Sequence, residues 1–299
     1  MATTRYLAII NPAARSGEAA QIATEIKEKL SDLDITYIET SAPEEAIEIA
    51  STAADFDVVI AIGGDGTVNE IANGLMRIEE DKRPALAIIP VGSGNDTCRM
   101  IGSPTNVDEA LEVLRRGNTA YFDLGRYNDS YFVNSFSIGL DALTVDKTTK
   151  IKEETGRTGM ILYGQALLDI ILNELKPTVL DVTADDQTQQ REVLLHTVTN
   201  GKTYGGGFKI NPFADPTDGT LTASRIEWMP AWRVLLCIPS LLRATHHKLA
   251  AYDTHEITDI HFASGDGKDL VAQVDGELLK GNSFAIEVHP HALRFVVCS

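Results

Sequence analysis

The sequence predicts a mixed α/β fold in which an open α/β domain comes first and a β-rich domain follows. In the first half, apolar strand patterns alternate with helical patterns, which is typical of a parallel sheet covered by helices. After Leu124, strand patterns separated by turn signals dominate. We therefore place the domain boundary near Gly125, giving domains of residues 1–125 and 126–299, with the last strand free to pack back on the first domain.

The elements of the first domain follow from apolar spacing. The helix predicted over residues 19–30 carries Ile22, Ile26 and Leu30 on one face, and the next helix opens at Pro43-Glu44-Glu45, where proline and acids are favoured. Further helices are predicted over residues 67–78 and 107–116. The predicted strands are residues 6–10, 35–38, 58–62 and 86–89.

The second domain is predicted to contain mostly strands and two helices. The helices are expected over residues 160–175 and in the region 232–249. The predicted strands are residues 131–137, 178–184, 193–198, 221–227, 256–263, 270–274 and 284–289.

Composition and charge exclude several classes of protein. The 299 residues are 43% hydrophobic and 23% charged, with no apolar run long enough for a bilayer and no signal-peptide pattern, so we expect a soluble, cytoplasmic protein. Three widely spaced cysteines indicate free thiols. A net charge of −17 argues against nucleic acid as a partner and against strong attachment to an anionic membrane. The basic stretch Lys147, Lys150 and Lys152 is either a solvated face or a membrane contact.

The most informative segment is Gly63-Gly64-Asp65-Gly66-Thr67, which follows an apolar strand pattern and precedes a helical one. A glycine-rich turn at a helix N-terminus can hold phosphate, because the backbone approaches closely and the N–H groups and helix dipole favour an anion. Since Asp65 would repel a bare phosphate, it suggests a bridging cation such as Mg²⁺. The alternative is an ordinary turn with Asp-Gly chemistry.

Two other strand ends carry polar, glycine-containing loops. They are Asn11-Pro12-Ala13-Ala14-Arg15-Ser16-Gly17 and Pro90-Val91-Gly92-Ser93-Gly94-Asn95-Asp96. Because the carboxyl ends of parallel strands share one edge of an open sheet, the three loops can converge on one ligand. The chain has no G-x-x-x-x-G-K-[ST] loop and no G-x-G-x-x-G after its first strand, which disfavours the usual Walker and dinucleotide folds.

Five ordered segments together resemble the diacylglycerol kinase catalytic-domain family, which includes bacterial soluble lipid kinases, sphingosine kinases and ceramide kinases. The first three are the loops above, with Asn69-Glu70 after the central one. The second half adds Gly206-Gly207-Phe208 with Asn211-Pro212 and Asp218-Gly219, and then Asp275-Gly276-Glu277. The resemblance implies an N-terminal ATP-binding α/β domain, a C-terminal β-sandwich-like domain and catalysis in the cleft between them.

The resemblance also implies residue roles. Asp65 would act through Mg²⁺ on the phosphates of ATP, Asp96 would lie near the phosphoryl-transfer site, and Glu277 would be the general base. A second, structural Mg²⁺ would take the Asp218 carboxylate and backbone oxygens at Asp215 and Thr220. The implied nucleotide-binding residues are Asn11, Pro12, Ser16, Gly17, Thr40, Gly63, Gly64, Asp65, Gly66, Thr67, Asn69, Glu70, Gly92, Ser93, Gly94 and Asn95.

The implied reaction is ATP-dependent phosphorylation of a lipid hydroxyl, with diacylglycerol as the leading acceptor, during transient contact with the inner membrane surface. A homodimer is left open. Thr97-Cys98 stands where the family usually has Phe-Ala, so an aromatic side chain is missing near the expected site, and Glu18 stands where some relatives carry a basic residue.

Alternative interpretations remain at this point. The protein could phosphorylate a soluble acceptor such as NAD, or bind nucleotide as a regulatory protein without turnover. Taken alone, Asp275-Gly276 and Pro216-Thr217-Asp218-Gly219 are common turn sequences. Trp228 and Trp232 are interpreted first as packing residues and second as a lipid-facing patch.

Overall fold

A parallel sheet in the order β2-β1-β3-β4 organises the first half of the computed structural model, which describes residues 4–12, 18–156, 160–185 and 187–298. The strands are β1 (Arg5–Ile10), β2 (Asp34–Glu39), β3 (Val58–Gly63) and β4 (Ala85–Pro90). The helices are α1 (Glu18–Lys29), α2 (Glu45–Ser51), α3 (Asp65–Leu75), α4 (Asp96–Met100) and α5 (Val107–Arg116), with 3₁₀ turns at Ala53–Asp55 and Glu80–Lys82.

Two apolar clusters cover the two faces of this sheet. On β1, Leu7 and Ile9 pack with residues of α2 and α3, whereas Ala8 and Ile10 pack with residues of α1 and α5. Strands that are buried on both faces read as continuous apolar runs, which is why the sequence located them.

The second half is antiparallel and forms a sandwich whose strand path is β16-β15-β7-β9-β8-β14-β17. Phe136 lies at its centre, with its ring centroid 6.0 Å from that of Phe262 and 5.4 Å from that of Phe284. The strands are β5 (Thr119–Tyr127), β6 (Ser130–Phe132), β7 (Ser135–Gly139), β8 (Thr178–Ala184), β9 (Gln187–Thr199), β10 (Thr203–Tyr204), β11 (Phe208–Lys209), β12 (Leu221–Glu227), β13 (Tyr252–Ile257), β14 (Asp259–Ser264), β15 (Leu270–Val274), β16 (Glu277–Gly281) and β17 (Ser283–Val296).

Three helices accompany the sandwich: α6 (Leu140–Thr155), α7 (Met160–Asp169) and α8 (Ala231–Leu242). A π-turn, Ile170–Glu174, extends α7, and a 3₁₀ turn, His246–Lys248, follows α8. None of the helices in the described ranges is both long enough and apolar enough to cross a bilayer.

The strand β17 is hydrogen-bonded to both halves of the chain. Its first part pairs with β14, and its register against β5 shifts between His289 and Leu293. Beyond the shift, Phe295 is in parallel register with Leu86 of β4. One continuous strand thus runs from the sandwich to the parallel sheet, while the boundary near Gly125 stays a prediction.

The mixed α/β fold class predicted from the sequence is confirmed, and the local departures have physical causes. The strand predicted over residues 131–137 is split between β6 and β7, because the N–H groups of Val133 and Asn134 donate to the Asp275 carboxylate instead of to a neighbouring strand. The basic stretch lies on α6, where Lys147 pairs with Asp169 and Glu174. These ion pairs favour a solvated helix face over a membrane contact for Lys147.

We predict that the contact between α2 and α3 leaves no space for a side chain at Gly74. A Cβ there would lie 2.4 Å from the carbonyl oxygen of Ile47 and 2.6 Å from the Cβ of Ala50. Gly74→Ala should therefore lower the free energy of unfolding by about 1–3 kcal/mol, measured by denaturant titration.

Gly164 on α7 is the matched control, since a Cβ there meets no described heavy atom within 4 Å. Gly164→Ala should be neutral or stabilising by up to about 1 kcal/mol, from helix propensity alone. Equal effects of the two substitutions would contradict the close approach of α2 and α3.

Candidate active site

The loops after β1, β3 and β4 lie side by side at the carboxyl edge of the parallel sheet. Main-chain hydrogen bonds continue past the strand ends: the amide of Asn11 donates to Ile62, and that of Val91 donates to Gly63. The amide of Thr40, after β2, likewise donates to Ile10, at 2.9 Å, and its hydroxyl donates to the same oxygen. The sheet register therefore fixes the positions of these loops relative to one another.

Glycines allow the loops after β3 and β4 to touch. A Cβ on Gly92 would lie 2.5 Å from the Cα of Gly64, and a Cβ on Gly63 would lie 2.4 Å from the Thr67 hydroxyl. The same hydroxyl accepts a hydrogen bond of 3.1 Å from the side-chain amide of Asn11. The contacts bring residues from three strand ends to the first turn of α3.

Asp65 is the first residue of α3, and one of its oxygens is already engaged. Its Oδ1 accepts a hydrogen bond of 2.9 Å from the amide of Thr97. Its Oδ2 faces Gly94, where a Cβ would lie 2.8 Å from that oxygen and 3.7 Å from Oδ2 of Asp96. The two carboxylates therefore border the same small space above Gly94.

Asp96, at the start of α4, is buried and held from several sides. Its Oδ1 accepts from the hydroxyl of Thr203, at 3.0 Å, and from Arg99, at 3.2 Å. Its Oδ2 accepts from the amide of Gly206 at 2.6 Å. Burial, together with the charge of Asp65, raises the pKa of Asp96 above its usual range, against the lowering effect of these donors.

Glu277 comes to the first turn of α3 from the sandwich. It begins β16, directly after a two-residue turn in which Asp275 has φ 47° and Gly276 has φ 92°, as expected for Asp-Gly in a tight hairpin. A Cβ on Gly66 would lie 3.9 Å from Oε1 of Glu277. The residue is exposed at the mouth of the cleft, yet partial desolvation of its carboxyl group, and then the charges of Glu70 and Asp275, raise the pKa of Glu277.

Asp275 fixes the hairpin that carries Glu277. Its carboxylate accepts hydrogen bonds from the amides of Val133, at 2.7 Å, Asn134, at 3.0 Å, and Ser135, at 2.7 Å. It also accepts one of 2.8 Å from the side chain of Asn69 on α3. Burial raises the pKa of Asp275 to about 6 although these donors oppose the shift. The turn predicted at Asp275-Gly276 therefore also anchors the hairpin to α3.

Glu70, one turn along α3, faces α2. Burial raises the pKa of its carboxyl group, while the backbone N–H groups of Glu44 and Ala46 at the start of α2 lower it. Asn69 likewise donates to a protein carboxylate and to the carbonyl of Tyr131. These contacts give Asn69 and Glu70 structural partners within the chain, and their assignment to the nucleotide stays a prediction.

The remaining predicted nucleotide residues lie on the same edge. Pro12 follows Asn11, Ser93 is exposed at the tip of the loop after β4, and Asn95 has φ 53° and donates to the carbonyl of Gly92. Ser16 and Gly17 lie outside the described residues.

The loop of residues 215–220 is built from two similar turns. Oδ1 of Asp215 accepts from the amide and the hydroxyl of Thr217, and Oδ1 of Asp218 accepts from the amide and the hydroxyl of Thr220. No cluster of three His, Cys, Asp or Glu residues suited to a metal occurs in the described ranges. The predicted ligand set contains one carboxylate and two backbone oxygens, so it would not form such a cluster.

Asp123 was missed by the sequence analysis and connects this loop to the sheet. It is fully buried on β5, with Oδ2 accepting from the amide of Gly219 and Oδ1 from the amide of His291, both at 2.7 Å. The sequence did contain a signal, since Asp123 stands within an otherwise apolar part of β5. A buried carboxylate needs hydrogen-bond donors. Arg99 and Thr203, which hold Asp96, gave no signal in the sequence.

Both halves of the chain match known protein families. Residues 5–127 match the diacylglycerol kinase catalytic domain, and residues 134–297 match the YegS C-terminal NAD kinase beta sandwich-like domain. Proteins from Yersinia pestis (strain Pestoides F) and Yersinia pseudotuberculosis (serotype O:1b), both named probable lipid kinase YegS-like, are each 31% identical over 253 residues, covering 83% of this chain and 81% of the relative. The chain belongs to this lipid kinase family.

Solved structures of the family share the whole fold. A crystal structure from Bacillus anthracis (strain Sterne), provisionally named a diacylglycerol kinase, is 25% identical to this chain. It superposes with a TM-score of 0.82 over 100% of this chain and 98% of that one. The likeness therefore extends to both the parallel sheet and the sandwich.

We predict that the loop of residues 215–220 binds Mg²⁺ through Asp218. Removing the Asp218 carboxylate should then abolish a metal-dependent gain in stability. An ion that binds only the folded protein should add about 2.7 kcal/mol at a hundredfold excess over its dissociation constant. The measurement is the melting temperature of wild type and Asp218→Ala, with and without Mg²⁺ and in the absence of nucleotide.

Asp215→Ala is the matched control, because its carboxylate makes the same local hydrogen bonds whereas only its backbone oxygen is predicted to bind the ion. It should keep the Mg²⁺-dependent rise in melting temperature. An equal rise in wild type and Asp218→Ala would place the ion elsewhere.

Proposed function

We propose that this protein transfers the γ-phosphoryl group of ATP, with Mg²⁺, to a lipid hydroxyl, and that the acceptor is diacylglycerol, which becomes phosphatidic acid. One observation carries the proposal: Glu277, from the sandwich, lies beside Gly66, the residue that follows Asp65 in the first turn of α3. Phosphoryl transfer needs these parts together: a phosphate cradle, acids that organise a cation, and a carboxylate directed at the acceptor.

The cradle is the first turn of α3 with the loops that converge on it. The amides at a helix N-terminus and the glycine backbone of Gly63, Gly64 and Gly92 can approach phosphate oxygens closely. Thr67 and Asn11 are already hydrogen-bonded to each other at this point. The triphosphate of ATP is thus proposed to lie across the carboxyl ends of β1, β3 and β4.

The acids present suit a nucleotide-borne Mg²⁺. This ion is usually held by one or two carboxylates together with phosphate oxygens and water. Within the described chain, Oδ2 of Asp65 accepts no hydrogen bond, whereas both oxygens of Asp96 do. Asp65 is therefore the residue proposed to hold the ion, which would neutralise charge on the phosphates, and Asp96 would orient the ion's water and the surrounding loop.

Glu277 is the proposed general base. Its raised pKa makes it a better proton acceptor than a glutamate whose pKa is not raised. Asp96 is less suited to the task, because Arg99, Thr203 and Gly206 already saturate its oxygens. In the proposed step Glu277 accepts the hydroxyl proton as the hydroxyl oxygen attacks the γ-phosphorus, and ADP leaves.

The acceptor is tested by incubating the protein with γ-labelled ATP and a total lipid extract, then identifying the labelled species. Labelled phosphatidic acid is the expected product, and Asp65→Ala is the inactive control. Label on another lipid would correct the acceptor, and label on NAD in a lipid-free assay would favour a soluble-acceptor kinase. ATP binding without transfer to any hydroxyl would indicate a regulatory protein.

We predict that Glu277→Gln lowers kcat by about 10²–10⁴, the usual contribution of general-base assistance. The affinity for ATP should change little, because the residue serves the acceptor. The measurement is kcat on diacylglycerol in detergent micelles, paired with an ATP titration. Glu256→Gln, on β13, is the control. A kcat within a few-fold of wild type would show that Asp275-Gly276-Glu277 is only a turn and that Glu277 is not the general base.

We predict that Glu70 sets part of the pH dependence. As the pH falls, the enzyme loses activity when its general base becomes protonated, because only the deprotonated carboxylate accepts the proton. A base with a raised pKa is protonated at a higher pH, so activity is lost at a higher pH. The charge of Glu70 contributes to the raised pKa of Glu277. In Glu70→Gln the acid limb of kcat/KM should therefore move to lower pH, whereas Asp55→Asn, a substitution at an exposed residue, should leave it in place. An unmoved limb in Glu70→Gln would show that Glu277 does not titrate in catalysis.

A further inference from the structure

Large exposed apolar side chains are concentrated on one side of the second half. Six of the eight in the described chain lie on α7 and its π-turn, on α8, or in the segments that flank α8 and β11. They are Leu168, Leu172, Phe213, Trp228, Trp232 and Leu236, and we call them the Trp232 surface. A cluster of this kind on one face usually marks an interaction site.

The six side chains belong to segments that share one inner cluster. Ile171, Ile210 and Val234, the inward neighbours of the exposed residues, pack together beneath the surface. The helix α8 contacts the π-turn, and the ring of Phe213 lies 5.4 Å from that of His247, just after α8. The exposed residues therefore form one surface and not isolated positions.

The helix α8 is apolar on both sides. Val234 is buried, while Trp232 and Leu236, one turn apart on the outer side, are 63% and 72% exposed. Pro239 and Arg243 continue the same stripe at helical spacing. An outer face with Trp and Leu, flanked by Arg, is typical of a helix that lies in a membrane interface.

The segment around α8 is positively charged, whereas the chain as a whole is negatively charged. Between Trp228 and Tyr252 there is no Asp or Glu, although the chain as a whole carries −17. Arg233, Arg243 and Lys248 lie in this segment, and none of them forms an ion pair with an acid in the described parts of the chain. Charges more than about 8 Å apart are screened at physiological ionic strength, so these cations dominate the part of the surface on and around α8. The acids beside Leu168 and Leu172, Asp169 and Glu174, are paired with Lys147.

The Trp232 surface is connected to Asp96 through residues 206–213, which begin in the β10–β11 loop and continue past β11. The amide of Gly206 in this loop holds Asp96. Two residues on, the ring of Phe208 stacks on His246, with centroids 6.4 Å apart. Phe213 then reaches His247. This segment thus touches Asp96 at one end and the Trp232 surface at the other.

We propose that the Trp232 surface is the face with which the protein docks on an anionic lipid bilayer. The inference rests on the proposed lipid substrate, whose hydroxyl must come from the bilayer into the cleft. A second copy of the chain fits less well, because a two-fold interface would set the same cation-bearing, acid-free segment of both copies against each other. Trp and Leu enter the interface while the three cations meet the lipid phosphates.

Intrinsic fluorescence tests the docking directly, because the only two tryptophans of the chain, Trp228 and Trp232, belong to the surface. Vesicles of phosphatidylcholine with phosphatidylglycerol should shift the emission to the blue, and brominated phosphatidylcholine should quench it. Vesicles of phosphatidylcholine alone, or high salt, should bind more weakly. Unchanged emission with anionic vesicles would overturn the proposal.

Variants locate the contact. In vesicle flotation without nucleotide, Leu236→Glu and Trp232→Glu should each weaken partitioning by about tenfold or more, because a charge replaces inserted apolar surface. Tyr121→Glu, at a residue that is 46% exposed on β5, is the matched control and should bind like wild type. Equal binding by all variants would overturn the assignment. Dimers of wild type that dissociate in Leu236→Glu would also overturn it, in favour of an interface between copies.

Activity assays on two acceptors test the docking surface separately from the proposed function. Leu236→Glu should lose most of its activity on long-chain diacylglycerol in anionic vesicles and keep it on a short-chain, water-soluble diacylglycerol. Equal losses on both acceptors would contradict a docking role. If wild type phosphorylates neither acceptor but still floats through the Trp232 surface, the proposed function fails while the docking surface stands.

Discussion

The Asp275 carboxylate is the contact on which the arrangement of the site depends. It accepts three consecutive backbone amides at the break between β6 and β7, and the side-chain amide of Asn69 on α3. A carboxylate held by four donors is a rigid joint, because losing any donor leaves buried charge unsatisfied. The joint ties the hairpin that presents Glu277 to the helix whose first turn carries Asp65.

The site keeps its acids close together in a partly dry cleft, and that proximity sets their protonation. Burial raises the pKa of Asp96 and Glu277, and neighbouring carboxylates raise both further. Such crowding disfavours the charged forms of these acids, and a bound cation would oppose that effect. We therefore expect bound ligands to complete the charge balance of the site. In the proposed reaction, the Glu277 carboxylate then accepts the proton.

The proposed docking surface and the proposed chemistry share the segment of residues 206–213. Its backbone holds Asp96, and its aromatic residues pack on the segment after α8. A lipid that enters beside α8 would thus meet the cleft without crossing the strongly acidic remainder of the chain. In the proposed docking mode, a chain of large negative net charge meets an anionic lipid surface through one segment that contains three Lys or Arg residues and no acid.

The sequence alone determined the mixed α/β class, the three loops and the five ordered motifs, because buried parallel strands and glycine turns leave local signals. It could not show that Val133 and Asn134 interrupt a strand, that Asp123 joins the loop of residues 215–220 to β5, or that Arg99 and Thr203 hold Asp96. Nor could it decide whether Trp232 is buried. Each of these depends on partners distant in the chain, and only tertiary packing brings such partners within hydrogen-bonding distance or leaves a side chain without cover.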